Sequence, residues 1–580
     1  MAGKLATPGD RTLTVPLHKG DTVLPNLPFF EKLLRYAHRR LPTISIHDVN
    51  AGVEKSYTQL LTDALALRRA LRGRLRPETL TDLDNDHEVF VAVIAPGGYE
   101  YAVAFTAILA LGAAVVPITP ALPVKEAKSL VTRAQCVAVI STNEVVPLAH
   151  GIIQSIVASN PATAQLPHLV TSQYLQPDSL PPSSITISSD PVPNMNMAAL
   201  VIFTSGTTGP PKGAVQRRSY ITSAAEDVAD HYRLTESDTV LHMLPVHHAT
   251  GIGVTFLPFL VVGACIEFRS GGFDPKWTWE RFRQNANLTG SKGLSVFSGV
   301  PTIYTRLKRY FEIHISPLPS KEQEQYIAGA RRIRAFLCGT SALPRPIQEF
   351  WTRILDGKMI LTRYGGTEFH TTLKADLDGS SPANSVGRVS PGVDLRLSDE
   401  GEVLVKGPNM FSKYLHDTDA TSKAHDKDGY FKTGDIASRM GESYFIQGRA
   451  SLDIIKSGGY KISALDIERE ILGLDYVSEV MVVGVKDEEF GQRVAAVVTL
   501  KYEHRASGLS LEKLRGDLRG LLAGYKMPTV LRVVEGEIPK GATGKVQKKL
   551  LGPRYFPDGW RGLKEVQVWD PQKMHHKSKL

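Results

Sequence analysis

The chain is poor in cysteine: Cys136, Cys265 and Cys338 are the only three in 580 residues, and they lie far apart. Without disulfide or zinc-ligand spacing they suggest neither framework, and a reducing compartment fits. Long apolar runs are missing too. A membrane span takes about 20 such residues, and the longest runs, at 103–118 and 253–268, read as buried helix and strand instead. Pro8, Gly9, Asp10 and Pro16 stand where a signal peptide would need its apolar core, which argues against export. There is no internal repeat. Nor does a long basic block accompany the formal charge of +9. The surplus lysine and arginine therefore describe a solvated surface suited to anionic small molecules rather than to nucleic acid.

What is present has the pattern of an α/β protein of more than one domain, since 580 residues exceed what one core usually organises. Short apolar runs at 88–96 and 136–142 read as buried parallel strands. The stretch 56–73 reads as a helix capped by Thr58. Strand-like and helix-like stretches alternate to about residue 360, with 160–195 read as a long surface connection and 313–327 as another excursion. After residue 385 short strand-like pieces with glycine turns predict a β patch. From about 450 the order helix, strand, strand, helix predicts a small α+β domain.

The segment 200–216, "LVIFTSGTTGPPKGAVQ", carries the first chemistry. A strand-like run breaks into hydroxyls and glycines that end in Lys212. Glycines let backbone amides converge on an anion, hydroxyls add donors and the lysine adds charge. It is not a Walker loop: Pro211 stands where the second glycine belongs, and Lys212 is followed by Gly213.

The string "TSGTTGPPKG" resembles the signature loop of the adenylate-forming superfamily, which includes acyl-CoA synthetases, adenylation domains of peptide synthetases and luciferases. Further motifs follow in family order: 108–120 ("ILALGAAVVPITP"), 363–370 ("RYGGTEFH"), 429–437 ("GYFKTGDIA"), 448–468 ("GRASLDIIKSGGYKISALDIE") and 538–551 ("IPKGATGKVQKKLL"). The resemblance implies a large N-terminal domain (1–448) of two mixed sheets with helices and a β patch. It also implies a smaller, mobile α+β domain (449–552) and a tail (553–580).

It further implies two half-reactions. Acid and ATP, with Mg²⁺, give acyl-AMP and pyrophosphate; CoA then gives the thioester and AMP. By resemblance Thr204, Ser205, Gly206, Thr207, Thr208, Gly209 and Lys212 hold the β- and γ-phosphates. Glu368 holds Mg²⁺, and Thr367 meets the α-phosphate. Tyr364 and Gly365, beside Gly339, Thr340 and Ser341, frame the adenine. Asp435 accepts both ribose hydroxyls, since a carboxylate has two acceptor oxygens and no competing donor, and Arg449 supports it. Lys545 reaches the carboxylate and the α-phosphate, so Lys545, Thr204 and Glu368 carry the catalysis. Lys456, Gly458, Gly459 and Tyr460 would meet CoA after a rotation near residues 449–452. There Ser451 replaces the family's usual charged residue.

The closest look is to malonyl-CoA and methylmalonyl-CoA synthetases. Two departures bear on the acyl pocket: Gly366 stands where that branch commonly has methionine, and Thr250 replaces a second histidine. The expectation is a wider pocket for a short-to-medium or functionalised acid, with malonate or methylmalonate as runner-up. His247 and His248, taken as neighbours on a strand, face opposite ways and cannot share a metal; by resemblance one of them lines the pocket. The final Ser578, Lys579 and Leu580 spell a peroxisomal address. They imply an import receptor as partner and a role in peroxisomal acid metabolism or specialised biosynthesis. The alternatives are a stand-alone enzyme that loads a carrier protein, and a luciferase-like oxygenase.

Overall fold

The computed structural model describes residues 14–15, 20–41, 43–159, 166–204, 211–288, 293–540 and 546–569. Two large sheets dominate. One has seven strands in the order Lys413–Tyr414, Lys212–Arg217, Ala198–Thr204, Ala114–Ile118, Phe90–Ile94, Ala138–Ser141 and His168–Val170. The other has nine, running from Arg388–Val389 through His370–Lys374, Leu361–Gly366, Ala335–Cys338, Val296–Gly299 and Thr239–His242 to Cys265–Phe268, Ile44–Asp48 and Val53–Ser56.

The strands are continuous apolar runs because both of their faces are covered. Val91 and Val93 face a core shared between the two sheets, whereas Phe90, Ala92 and Ile94 face helices Val124–Arg133 and Val146–Ser159 outside. In the larger sheet Val296, Leu337 and Leu361 face the shared core. Phe297, Phe336 and Cys338 face the outer helices Pro275–Asn285, Pro301–Tyr310, Ser320–Arg331 and Arg345–Ile354. Helices Tyr57–Arg72, Gly98–Leu111 and Arg218–His231 fill the middle, giving five layers. The apolar runs at 103–118 and 253–268 are buried helix and strand, as expected.

Four expectations change. Ser56, not Thr58, caps the helix Tyr57–Arg72 by accepting from the Gln59 amide at 3.1 Å; Thr58 donates instead to the Ala37 carbonyl. The supposed excursion at 313–327 is largely helical, because Ile315, Tyr326 and Ala330 bury against the outer face of the nine-stranded sheet. The connection at 160–195 contains the strand Thr186–Ser188, whose Ile187 is buried and which pairs with Val23–Leu24. The tail does not begin at 553: helix Lys548–Tyr555 covers one face of the small sheet, and Val566–Val568 pairs with Val530–Val534.

The β patch is a four-stranded antiparallel sheet, Asp394–Leu397, Glu402–Lys406, Phe431–Met440 and Ser443–Arg449. Beyond it the long hairpin Val477–Asp487 and Gly491–Leu500 builds the small sheet, with helices Ala464–Leu472 and Leu511–Asp517 on one face. Glu470 of this small part reaches Arg345 of the large one, Oε2 to Nη2, at 3.7 Å.

Candidate active site

The strand Ala198–Thr204 returns as Lys212–Arg217, which places Thr204 opposite Lys212; the Thr204 hydroxyl donates to the Lys212 carbonyl at 3.3 Å. Ser205, Gly206, Thr207, Thr208 and Gly209, between these two ends, lie outside the described residues, as does Lys545. The Lys212 ammonium stands 4.8 Å from the ring centre of Tyr414. The Tyr414 hydroxyl donates to Glu368 Oε1 at 2.9 Å. Burial and the neighbouring Glu368 raise the Tyr414 phenol pKa, so the tyrosine remains a donor. Tyr414 thus joins the loop's lysine to the expected metal carboxylate, and no motif marked it.

Glu368 fits the Mg²⁺ role. Among the described residues no cluster of three or more carboxylate, histidine or cysteine groups could hold a metal. Mg²⁺ on a nucleotide is ordinarily held by one or two carboxylates together with phosphates and water, not by an all-protein cage. Tyr414 occupies one Glu368 oxygen and leaves Oε2 for an ion. The Thr367 carbonyl accepts from Gln216 Nε2 at 2.6 Å, tying this turn to the strand that follows the phosphate loop.

The residues expected to meet the nucleotide converge from separate strands. Tyr364, in Leu361–Gly366, donates its hydroxyl to Asp435 Oδ2 at 2.8 Å. Arg449 Nε meets Asp435 Oδ1 at 2.9 Å, the two residues being paired across the strands Phe431–Met440 and Ser443–Arg449. Burial, with Asp435 adding to it, raises the Tyr364 phenol pKa well above its usual value. Gly339, Thr340 and Ser341 follow the strand Ala335–Cys338, and Thr340 takes a left-handed φ of +73°. That conformation costs a β-branched residue about 1–3 kcal/mol, strain that concentrates at functional sites. Gly365 is obligatory, since a Cβ there would lie 2.0 Å from the His370 carbonyl oxygen.

The residues expected to line the acyl pocket are arranged differently from the strand assumed for them. His247 and His248 are not on a strand; they form the turn before helix Ala249–Thr255, which holds Thr250, and their rings lie 4.4 Å apart. Burial first, and then His248, pushes the His247 pKa down to about 3, so the ring is neutral. The space expected from Gly366 is already taken: a Cβ on that residue would fall 2.4 Å from the Phe369 ring. Phe369 is buried among Val403, Phe411 and Phe431. The absent side chain makes room for Phe369.

Lys456, Gly458, Gly459 and Tyr460 form the hairpin between Ile454–Ser457 and Tyr460–Ser463. Gly458 and Gly459 both take positive φ, +55° and +83°, as a tight two-residue turn requires. Tyr460 is exposed and stacks on Tyr525. At the junction Asp453 stands two places after Ser451. Asp453 accepts from the Arg449 amide at 3.0 Å and pairs with Lys548 Nζ at 2.6 Å. Lys548 also meets Glu468 at 2.8 Å, so the segment just after Lys545 is anchored to the junction.

Comparison with known proteins follows this geometry. The family model described as AMP-binding enzyme matches residues 35–415, and that of the AMP-binding enzyme C-terminal domain matches 466–545. A CoA ligase of Gibberella moniliformis is 31% identical, covering 94% of this chain and 96% of its own. The human mitochondrial malonate–CoA ligase ACSF3 is 31% identical, covering 94% of each. Among solved structures, ATP-bound MatB from Rhodopseudomonas palustris superposes with a TM-score of 0.73 at 26% identity, covering 91% of this chain and 98% of that one. These relatives overturn the peroxisomal reading of Ser578, Lys579 and Leu580. The malonate–CoA ligases of human and Xenopus laevis are named mitochondrial, and the import receptor is withdrawn with the peroxisomal reading.

Proposed function

Since the chain belongs to the AMP-binding enzyme family and is an AMP-forming acyl-CoA synthetase that uses ATP, with Mg²⁺, and CoA, we propose that its acid is a short dicarboxylic acid of the malonate type. The single observation that carries this choice is the Gly366–Phe369 contact, which in this reading leaves no room beside Gly366 for a longer acyl chain. The malonate–CoA ligases among the relatives support it.

In this reading one carboxylate oxygen attacks the α-phosphorus of ATP, the bond to pyrophosphate breaks, and an acyl-AMP anhydride forms. The CoA thiolate then attacks its carbonyl carbon and AMP leaves. The difficulty of the first step is the approach of two anions, which oriented positive groups relieve. Thr204, the loop to Gly209 and Lys212 grip the outer phosphates. Thr367 meets the α-phosphate, and Glu368, oriented by Tyr414, holds the Mg²⁺, which when bound screens phosphate charge. Tyr364, with Gly339, Thr340, Ser341 and Gly365, frames the adenine. Asp435 and Arg449 hold the ribose, and His247, His248 and Thr250 line the acid. Lys545 bridges carboxylate and α-phosphate. A junction at 449, with Asp453 at its centre, lets the small domain rotate and bring Lys456, Gly458, Gly459 and Tyr460 to CoA.

Pyrophosphate release over malonate, methylmalonate, propionate, hexanoate and benzoate, with and without CoA, tests the proposal. Malonate or methylmalonate should react fastest, and ¹⁸O in the acid should appear in AMP. Release with hexanoate or benzoate but with neither dicarboxylic acid would overturn the substrate assignment.

A further inference from the structure

The hairpin of Ile454–Ser457 and Tyr460–Ser463 lies at an edge of the small sheet, with its base buried through Ile455 and Ile462. Its tip, 456–460, has two glycines at positive φ and therefore much conformational freedom to lose. Besides the stack of Tyr460 on Tyr525, the tip rests on the turn that joins the strands Val477–Asp487 and Gly491–Leu500. Ser457 pairs with Gly491, and the Gly458 amide donates to the Phe490 carbonyl at 2.9 Å. The Lys456 amide donates to Gln492 Oε1 at 2.7 Å, and a Cβ on Gly458 would lie 3.4 Å from the Phe490 ring. The place of the tip is thus set by the place of this turn.

One carboxylate organises the turn. The Asp487 side chain is 1% exposed. Its Oδ1 accepts from the amides of Glu489 and Phe490 at 3.0 and 2.9 Å, and its Oδ2 accepts from Arg493 Nε at 2.5 Å and from Arg561 Nη2. Charge-assisted bonds of this kind are the strong ones, and they fix direction as well as distance. Arg493 is local: it belongs to the adjoining strand and lies over the Phe490 ring, 4.9 Å from its centre. Arg561 comes from 74 positions away. It follows Trp560, which is buried with Met481, Val485 and Val566 and so fixes where the arginine begins. The family models end at residue 545, so this contact comes from a part of the chain that neither of them covers.

We propose that Asp487 and Arg561 are positioning residues of the thioester half-reaction: their ion pair ties the segment after helix Lys548–Tyr555 to the turn 487–491, and through that turn sets where the hairpin tip 456–460 stands when CoA binds. This rests on the reading above that the hairpin meets CoA. Neither residue touches the reacting atoms. Their effect passes through Phe490 and Gly491 to Gly458 and Ser457, and a displacement of about 1 Å at a reacting thiol costs about 10²-fold in rate. Adenylation does not call on the tip, since it uses the large domain and Lys545. The C-terminal segment therefore serves the second step and not the first.

The test measures the two half-reactions separately, with the best acid of the panel above: the pyrophosphate burst without CoA, and thioester formation from the supplied acyl-AMP with CoA titrated. The full-length wild type is compared with Asp487→Asn, Arg561→Met, Arg561→Lys and Gly458→Val. Asp487→Asn should lower kcat/KM for CoA about 10–10²-fold, and Arg561→Met at least about fivefold, while the pyrophosphate burst stays within about twofold of the wild type. Arg561→Lys, which keeps the ion pair, should recover most of that loss, and the Arg561 variants decide the matter if Asp487→Asn does not fold. A merely structural role would slow both half-reactions in parallel, because Lys545 rides on the same small domain, and that result overturns the inference. Gly458→Val disturbs the tip directly and should slow thioester formation. If it does so while the Asp487 and Arg561 variants leave kcat/KM for CoA unchanged, this inference fails alone. If Gly458→Val leaves the CoA step unchanged, the hairpin reading and this inference fail together.

Discussion

Replacing Asp435 with asparagine removes one oxygen's charge and converts it into a donor, with little change in volume. Two protein contacts are affected. The bond from the Tyr364 hydroxyl, 2.8 Å long and with a buried phenol, is a charge-assisted one, a class that contributes about 1.5–3 kcal/mol. The pair with Arg449 is weaker than its 2.9 Å suggests, because the arginine is 46% exposed; screened pairs of this kind contribute about 0–1 kcal/mol. On the ligand side an amide can accept from one ribose hydroxyl but turns an N–H donor toward the other. Losing one charge-assisted bond to ribose, at about 2.7 kcal/mol, corresponds to about 10²-fold in kcat/KM for ATP. The assay is pyrophosphate release with ATP titrated at saturating acid, repeated with 2′-deoxy-ATP. The wild type should lose about tenfold or more on removal of the 2′-hydroxyl, and Asp435→Asn distinctly less, because its contact is already gone. A folded Asp435→Asn enzyme with unchanged KM for ATP, or one as sensitive to the 2′-hydroxyl as the wild type, would refute the ribose assignment.

Three other outcomes are expected. Lys545→Ala should slow pyrophosphate release about 10²–10³-fold yet spare thioester formation from supplied acyl-AMP and CoA; equal loss of both steps would contradict a rotating small domain. Gly366→Met should lower the melting temperature, since the new side chain meets the Phe369 ring, with overpacking of about 1–3 kcal/mol. Adding Phe369→Ala to it should recover part of that loss, and a single variant as stable as the wild type would deny the contact. Burial lowers the His242 pKa to about 4. The unfolded chain thus takes up a proton below about pH 6.5 that the folded chain refuses until about 4, and stability falls as the pH drops through that window. From pH 7 to 5 His242 accounts for about 2 kcal/mol of lost stability by this linkage. Urea denaturation at the two pH values should show that increment in the wild type and not in His242→Gln.

The motifs were readable because each is a local demand on the backbone or on one functional group. Gly365 is fixed by the His370 carbonyl 2.0 Å from where its Cβ would be, and Gly458 and Gly459 by a turn with two positive φ angles. Asp435 has the only side-chain type that accepts twice and donates nothing. The helix Ser320–Arg331 was obscured by its glutamines, glutamates and flanking prolines, because only three of its residues, Tyr326, Gly329 and Ala330, are buried. Gly366 has a related limit. A missing side chain tells nothing of what fills the space, and Phe369, three residues on, fills it.

The sequence by itself, through the family resemblance its motifs carry, implied the two-step chemistry and the division into a large and a small domain, since those motifs are short strings whose backbone geometry is set by their own residues. Only the tertiary structure decided that Tyr414 orients Glu368 from 46 positions away, that Asp453 and Lys548 meet at the junction across 95, and that Arg363 is buried beside Ser298, 65 positions earlier, with no carboxylate among the described residues. Those contacts depend on which strand ends the sheets lay side by side. That placement is set by burial of apolar faces throughout the chain, and no local pattern around the contacting residues carries it.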